Sequence, residues 1–207
     1  MRLQAVNDYH LREHHYLDSS DSCFFFGELS PGPDNWTPIK KLIYNLKKKP
    51  GDTGYQYKAG AIREVAHLLL NAIKRSSFGE LTLVPTPPSK INGDPEYDDR
   101  MWLILEELKK NLQPELSLDI RKLVYQTENY QASHKTTTRV SQEHLDAIYR
   151  IDDSVLMPAP SRIVVIDDVL TSGCHYRAMK KILATNFPAA KIQGIFVARR
   201  KLESDFI

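Results

Sequence analysis

Cysteine is scarce in this 207-residue chain: only Cys23 and Cys174, far apart in sequence. Without a CxxC pair, a structural zinc site built on thiolates lacks its ligands. Two thiols in a chain this long also fit a reducing compartment better than a disulfide scaffold. No apolar run approaches the roughly 20 residues needed to cross a bilayer. The polar start, Met1 to His15, has no apolar stretch of the kind that directs export. These absences predict a cytoplasmic protein with no membrane partner. Neither sign of charge dominates, with 28 Lys plus Arg against 26 Asp plus Glu and a formal charge of +2. A domain built to neutralise a nucleic-acid backbone carries a larger excess or a clear basic stripe. Nucleic acid is therefore not the expected partner, although a local basic patch is compatible with the balance. Two glycine-rich phosphate loops are also missing, GxxxxGK followed by Ser or Thr and GxGxxG.

What is present is the pattern of one α/β domain over residues 1–207. Cys23-Phe24-Phe25-Phe26-Gly27 reads as a buried strand running into a turn. Thr37-Pro38 opens a helix as N-cap and first helical residue, with Ile39, Leu42, Ile43 and Leu46 on one face and Pro50-Gly51 beyond its end. A second helix spans about 59–75. Leu81 to Val84 is a short strand closed by Pro85-Thr86-Pro87-Pro88, and a third helix runs from about Asp98 to Leu112 with Met101, Leu105, Leu108 and Leu112 inward. Short strands are expected near Leu118 to Ile120 and Leu123 to Tyr125. Gln126 to Arg139 reads as a mobile polar loop, and Ser141 caps a brief helix to Tyr149. Arg162 to Ile166 is an all-apolar strand of the kind buried on both faces of a parallel sheet. A helix from about Gly173 to Asn186 and a strand from Ile192 to Ala198 complete the alternation. This predicts a Rossmann-like, mainly parallel sheet flanked by helices. The weakly patterned segments 1–36 and 112–150 are expected to form a small hood and flexible loop elements.

The chemistry concentrates between Arg162 and Met179. Ligands of open α/β sheets sit at the carboxyl ends of strands, and there the most apolar strand carries Asp167 and Asp168. Adjacent carboxylates can accept hydrogen bonds from vicinal hydroxyls, as on a ribose ring. Thr171-Ser172-Gly173 then leads into a helix, whose free N–H groups and positive dipole end favour an anion. Diol acceptor, phosphate cradle and helix follow in the order of a ribose 5-phosphate. Two other readings compete. An apolar strand ending in Asp-Asp is also the magnesium-binding strand of P-loop enzymes, which the missing lysine loop excludes. In the purely structural reading, Thr171 or Ser172 caps the helix and Asp167 is a loop residue.

VVIDDVLTSG resembles the signature of type I phosphoribosyltransferases. The order IKKLIYNLKKKPG, amphipathic helix, LVPTPPSK and final VAR strand is similar to the ComF-type branch of that superfamily, over about residues 37–200. The resemblance implies the type I phosphoribosyltransferase fold and transfer of phosphoribose from phosphoribosyl pyrophosphate to a nitrogen acceptor, with pyrophosphate released. It places Asp167 and Asp168 on the ribose hydroxyls and beneath the charged transition state, as catalytic carboxylates. The stretch Val169, Leu170, Thr171, Ser172, Gly173, Cys174 and His175 surrounds the 5-phosphate. Thr86, Pro87, Pro88, Ser89 and Lys90 match the pyrophosphate loop. Mg²⁺ would be carried by the pyrophosphate, with Asp167 or Asp168 as further ligands, and a homodimer is compatible with the resemblance. Departures are Cys174-His175 in place of a small residue and a hydroxyl, the missing N-terminal zinc cysteines, and Asp94-Pro95-Glu96-Tyr97-Asp98-Asp99-Arg100 where ComF proteins carry Arg-Gly-Phe-Asn-Gln. An alternative function is a non-catalytic regulator or ComF-like nucleic-acid-metabolism, DNA-uptake or defence module that only binds a phosphoribosyl ligand or nucleotide.

Other signals are weaker. Lys135 and Arg139, with His134, are candidates for a mobile basic loop that closes over pyrophosphate. His10 and His14 share a helical face, but a pair lacks a third metal ligand, so these histidines and His15 are expected in solvent. Lys40, Lys41, Lys47, Lys48 and Lys49 are expected to form a solvated basic helix end. Asp94 to Asp99 is expected to cap a helix, with Asp98 or Asp99 as minor candidates for contact with magnesium or acceptor.

Overall fold

The computed structural model describes residues 1–32, 36–75, 80–112, 118–130 and 140–202. Its core is one sheet made of β1 (Gln4–Ala5), β2 (Ser22–Phe25), β3 (Glu28–Leu29), β4 (Leu81–Pro85), β5 (Leu118–Ile120), β8 (Arg162–Leu170) and β9 (Lys191–Arg200). The order is β1-β2-β9-β8-β4-β5, with β3 also paired to β9; every pairing is parallel except β1 with β2. A small antiparallel pair, β6 (Val124–Gln126) and β7 (Tyr149–Ile151), stands apart from it. The chain is thus an α/β protein with a mainly parallel central sheet flanked by helices, as the alternation predicts. The segment 1–36 differs from expectation: its described residues supply three strands to the main sheet.

Pleating divides the core. On one face, Leu81, Leu83, Val164, Ile166, Ile195 and Val197 pack under α2 (Pro38–Leu46), α3 (Lys58–Lys74) and α4 (Arg100–Lys110). On the other, Val84, Ile163, Val165 and Phe196 pack against α5 (Gln142–Ile148), α6 (Cys174–Asn186) and the β6–β7 pair. Alternate residues of β8 therefore serve opposite layers, the period-2 rule for a doubly covered strand.

Local rules account for several helix starts. Thr37 Oγ1 accepts from Lys40 N at 3.3 Å with Pro38 in the first turn, and Ser141 Oγ accepts from His144 N at 3.2 Å. Helix α2 stops at Leu46, before Pro50-Gly51. Helix α4 begins at Arg100 rather than Asp98, buries Ile104 as well as Met101, Leu105 and Leu108, and leaves Leu112 partly buried beyond its end. The loop expected from Gln126 begins later: Gln126 lies in β6, and Tyr130 is buried. Helix α1 (Asp8–Leu11) is capped by Asn7, whose side chain accepts from His10 N at 3.2 Å. Among the described residues no helix is long and apolar enough to cross a membrane.

Candidate functional site

Strand β8 is longer than its apolar run. It pairs with β4 only as far as Ile166, opposite Pro85, but continues beside β9 to Leu170, opposite Arg199. The Asp pair therefore lies inside the strand and not after it, at the point where β4 turns away and opens a cleft. A cavity of about 460 Å³ fills that opening. It is lined by Thr86 to Ser89 on the β4 side, by Asp167 to Tyr176 on the β8–α6 side, and by Lys47, Asp98, Asp99, Arg100 and Tyr130 across it. The two loops matched to ribose phosphate and pyrophosphate thus meet in one cavity. Lys90 is not among its lining residues. Lys135 and Arg139, together with His134, lie outside the described residues.

Because β8 is still pleated there, the two carboxylates point to opposite faces. Asp168 follows Val164 and Ile166 toward α2 and α4. It meets Arg100 Nε at 3.0 Å, Arg100 Nη2 at 2.9 Å and Lys47 Nζ at 3.2 Å. Burial alone would raise its pKa, but the two cations outweigh that and hold it below the usual carboxylate range. Arg100 is in turn braced by Asp98, which also takes Lys58 Nζ at 2.7 Å. Asp98 and Asp99 are accordingly ion-pair partners; Asp99 binds Lys122 at 2.6 Å and makes no side-chain cap to α4. Sequence reasoning missed Arg100 and Lys47. The lysines after α2 do not form one solvated face: Lys47 reaches the cavity, Lys48 is buried beneath Tyr44, and Lys49 pairs with Glu96.

Asp167 follows Ile163 and Val165 toward α6. Its Oδ1 accepts from Asp168 N at 2.8 Å, and its Oδ2 lies 3.8 Å from His175 Nδ1. Burial, then the neighbouring Asp168 charge, raises its pKa. His175 Nε2 is 3.5 Å from the Tyr130 hydroxyl, with the rings edge to face. Burial lowers His175 to about 4, so it is a neutral imidazole at pH 7. Tyr130 also fixes the opposite wall, its N–H donating to Ser89 O at 3.0 Å. Thr86 Oγ1 is buried with no hydrogen-bond partner among the described residues, a polar atom at the cavity wall with capacity to spare.

Thr171, Ser172 and Gly173 form the turn into α6. Gly173 is its N-cap at φ +88°, a left-handed conformation suited to glycine, and no side chain caps the helix. Among the described residues no side chain caps the first amides of α6, and the cavity beside them is lined by Thr171, Ser172 and His175. Cys174 Sγ donates to Val140 O at 3.5 Å instead of facing a ligand, and burial pushes its thiol up to about 12. Both cysteines are free and buried.

The N-terminal histidines are a correction. His14 is fully buried, with Nδ1 bonded to the carbonyl of Thr171, while His10 is half-buried beside Phe25 and only His15 is exposed. An i, i+4 metal pair requires both rings to be free, and these are committed separately.

No protein-family model matches this chain, and no curated protein matches it. Among solved structures it is similar to an adenine phosphoribosyltransferase from Leishmania tarentolae, at 12% identity and a TM-score of 0.44 over 86% of this chain and 91% of that one. It is also similar to a hypoxanthine phosphoribosyltransferase from Staphylococcus aureus, at 13% identity and a TM-score of 0.34 over 70% of this chain and 68% of that one. Likenesses this distant carry no functional assignment, which has to come from the site itself.

Proposed function

We propose that the cavity binds phosphoribosyl pyrophosphate and transfers its phosphoribosyl group to a nitrogen acceptor. The carrying observation is the convergence of the Asp167–Asp168 pair, the uncapped Thr171–Gly173 turn and the Thr86–Ser89 loop on one cavity of about 460 Å³. In the reaction the anomeric C–O bond to pyrophosphate breaks, a C–N bond forms, and the acceptor nitrogen loses its proton. Positive charge grows on the sugar as the leaving group departs, and the Asp167 and Asp168 carboxylates that line the cavity oppose it. The turn amides hold the 5-phosphate. Lys47 and Arg100, released from Asp168, would neutralise pyrophosphate, a task that the family resemblance gives to Lys90. Positioning and electrostatics supply the rate; no covalent intermediate is asked of the protein.

Among the described residues no three His, Cys, Asp or Glu side chains converge on a metal position. Mg²⁺ commonly takes one or two carboxylates and completes its shell with phosphate oxygens and water. Asp167, whose one hydrogen bond among the described residues is from the Asp168 amide, fits such a role with Mg²⁺ carried in by pyrophosphate. The ion would supply charge neutralisation at the leaving group.

A second reading, a non-catalytic regulator using the same pocket, is favoured by one observation: Asp168 is already neutralised by Arg100 and Lys47. Calorimetry with phosphoribosyl pyrophosphate and Mg²⁺, followed by a pyrophosphate-release screen across nucleobases, separates the readings. Binding with release supports transfer, and binding without release on any base supports the regulator. Absence of binding refutes both.

A further inference from the structure

The turn proposed to cradle phosphate is held from behind by residues more than 150 positions earlier. The carbonyl of Thr171 accepts from His14 Nδ1, and the carbonyl of Ser172 accepts from Tyr16 N at 3.0 Å. Leu17 lies against Gly173 so closely that a Cβ there would sit 2.8 Å from Leu17 Cγ. None of these three N-terminal residues lines the cavity. They cover the face of the turn that looks away from it.

In a trans peptide unit the C=O and the following N–H point in opposite directions. Fixing the Thr171 carbonyl toward His14 therefore turns the Ser172 N–H away from His14. Fixing the Ser172 carbonyl toward Tyr16 does the same for the Gly173 N–H. Neither amide donates to a described acceptor. The strap bearing these contacts is itself anchored at both ends: Glu13 binds the buried Arg199, while Asp18 takes Arg177 Nη2 at 2.7 Å and Asp21 takes Lys180 Nζ at 2.6 Å. A carbonyl can only accept, so His14 carries its proton on Nδ1. Burial lowers the pKa of His14, which favours the neutral ring.

We infer that His14 is a positioning residue: with the Tyr16 amide it orients the Ser172 and Gly173 N–H groups toward the cavity, where they meet the phosphate of a sugar phosphate. This rests on the reading of the turn as a phosphate cradle. His14→Leu removes the donor at similar volume, and His14→Asn keeps a donor near the Nδ1 position.

The test uses the full chain labelled with ¹⁵N. In His14→Leu the Ser172 and Gly173 amide resonances should move or broaden, and in His14→Asn they should return toward wild type. Ribose 5-phosphate affinity should fall about tenfold in His14→Leu, the factor for about 1.4 kcal/mol. It should recover to within about twofold of wild type in His14→Asn, a loss of no more than about 0.4 kcal/mol. Inorganic pyrophosphate, which does not need this turn, should bind all three proteins alike. Unmoved resonances in His14→Leu, or no recovery in His14→Asn, overturn the positioning role. Should His14→Leu fail to fold, His14→Met removes the same donor, and unmoved turn amides in that variant overturn it equally. If the wild type binds no ribose 5-phosphate, the cradle reading fails, while the two amide resonances still decide whether His14 orients them.

Discussion

Gly173→Ala isolates the most demanding backbone position at the site. Two costs can be read from the structure. The φ of +88° places an L-residue in the left-handed region, at about 1–2 kcal/mol. The new methyl would stand 2.8 and 2.9 Å from two carbons of Leu17, and overpacking of that kind costs about 1–3 kcal/mol. A total near 3 kcal/mol lowers the melting temperature by roughly 6–12 °C for a chain of this size. The two parts separate in a double-mutant cycle. Leu17→Ala alone destabilises by about 2–5 kcal/mol through lost packing. In the double variant, however, the steric part disappears and only the backbone part is added. Urea denaturation of the four proteins should give a coupling of about 1–3 kcal/mol in the favourable direction. Additivity within about 0.5 kcal/mol would show that Leu17 does not bear on the turn and would refute the packing account.

Asp167→Asn should stabilise the fold while abolishing ligand binding. Its folded pKa is raised by burial and by Asp168, so ionising it in the fold is costly, and that cost grows as pH rises above the ordinary carboxylate value. The variant should gain in melting temperature at pH 8 and match wild type near pH 4; equal curves at both pH values would contradict the burial argument. His175 has the opposite dependence. Its lowered pKa, about 4, means that the unfolded chain takes up a proton first, so stability falls as pH drops from about 6.5 toward 4. His175→Gln should flatten that limb in pH-dependent denaturation, and an unchanged slope would place the proton uptake elsewhere. Arg199→Met removes a fully buried cation from Glu13 and Glu28; calorimetric unfolding should show a loss of about 3 kcal/mol or more, and a near-neutral effect would refute its role in anchoring the N-terminal strap.

The sequence made the local features legible and left the long-range ones hidden. The caps of α2 and α5 and the apolar strands β4 and β8 are set by neighbours within a few residues, and they fall where pattern places them. The turn at Thr171 to Gly173 was singled out by its residue types and the loop at Thr86 to Ser89 by family resemblance, and both border one cavity. Asp168 looked free because its partners, Lys47 and Arg100, come from two other helices. The extension of β8 past Ile166 was invisible because it depends on β9 continuing where β4 departs. His14 read as a surface residue for the same reason: nothing near residue 14 announces a partner at residue 171.

The place of β2 between β1 and β9 also sets an order of assembly. During synthesis, Cys23-Phe24-Phe25 emerges long before Lys191–Arg200, the strand it must pair with. At ordinary translation rates of about 5–20 residues per second, that wait lasts on the order of ten seconds or more. For that interval the apolar strand β2 can pair with the two-residue β1 alone, and its other edge waits for β9. The same delay applies to His14 and Tyr16, whose partners Thr171 and Ser172 are made late. The Thr171–Gly173 turn therefore cannot gain its His14 and Tyr16 contacts in any nascent fragment that stops short of it.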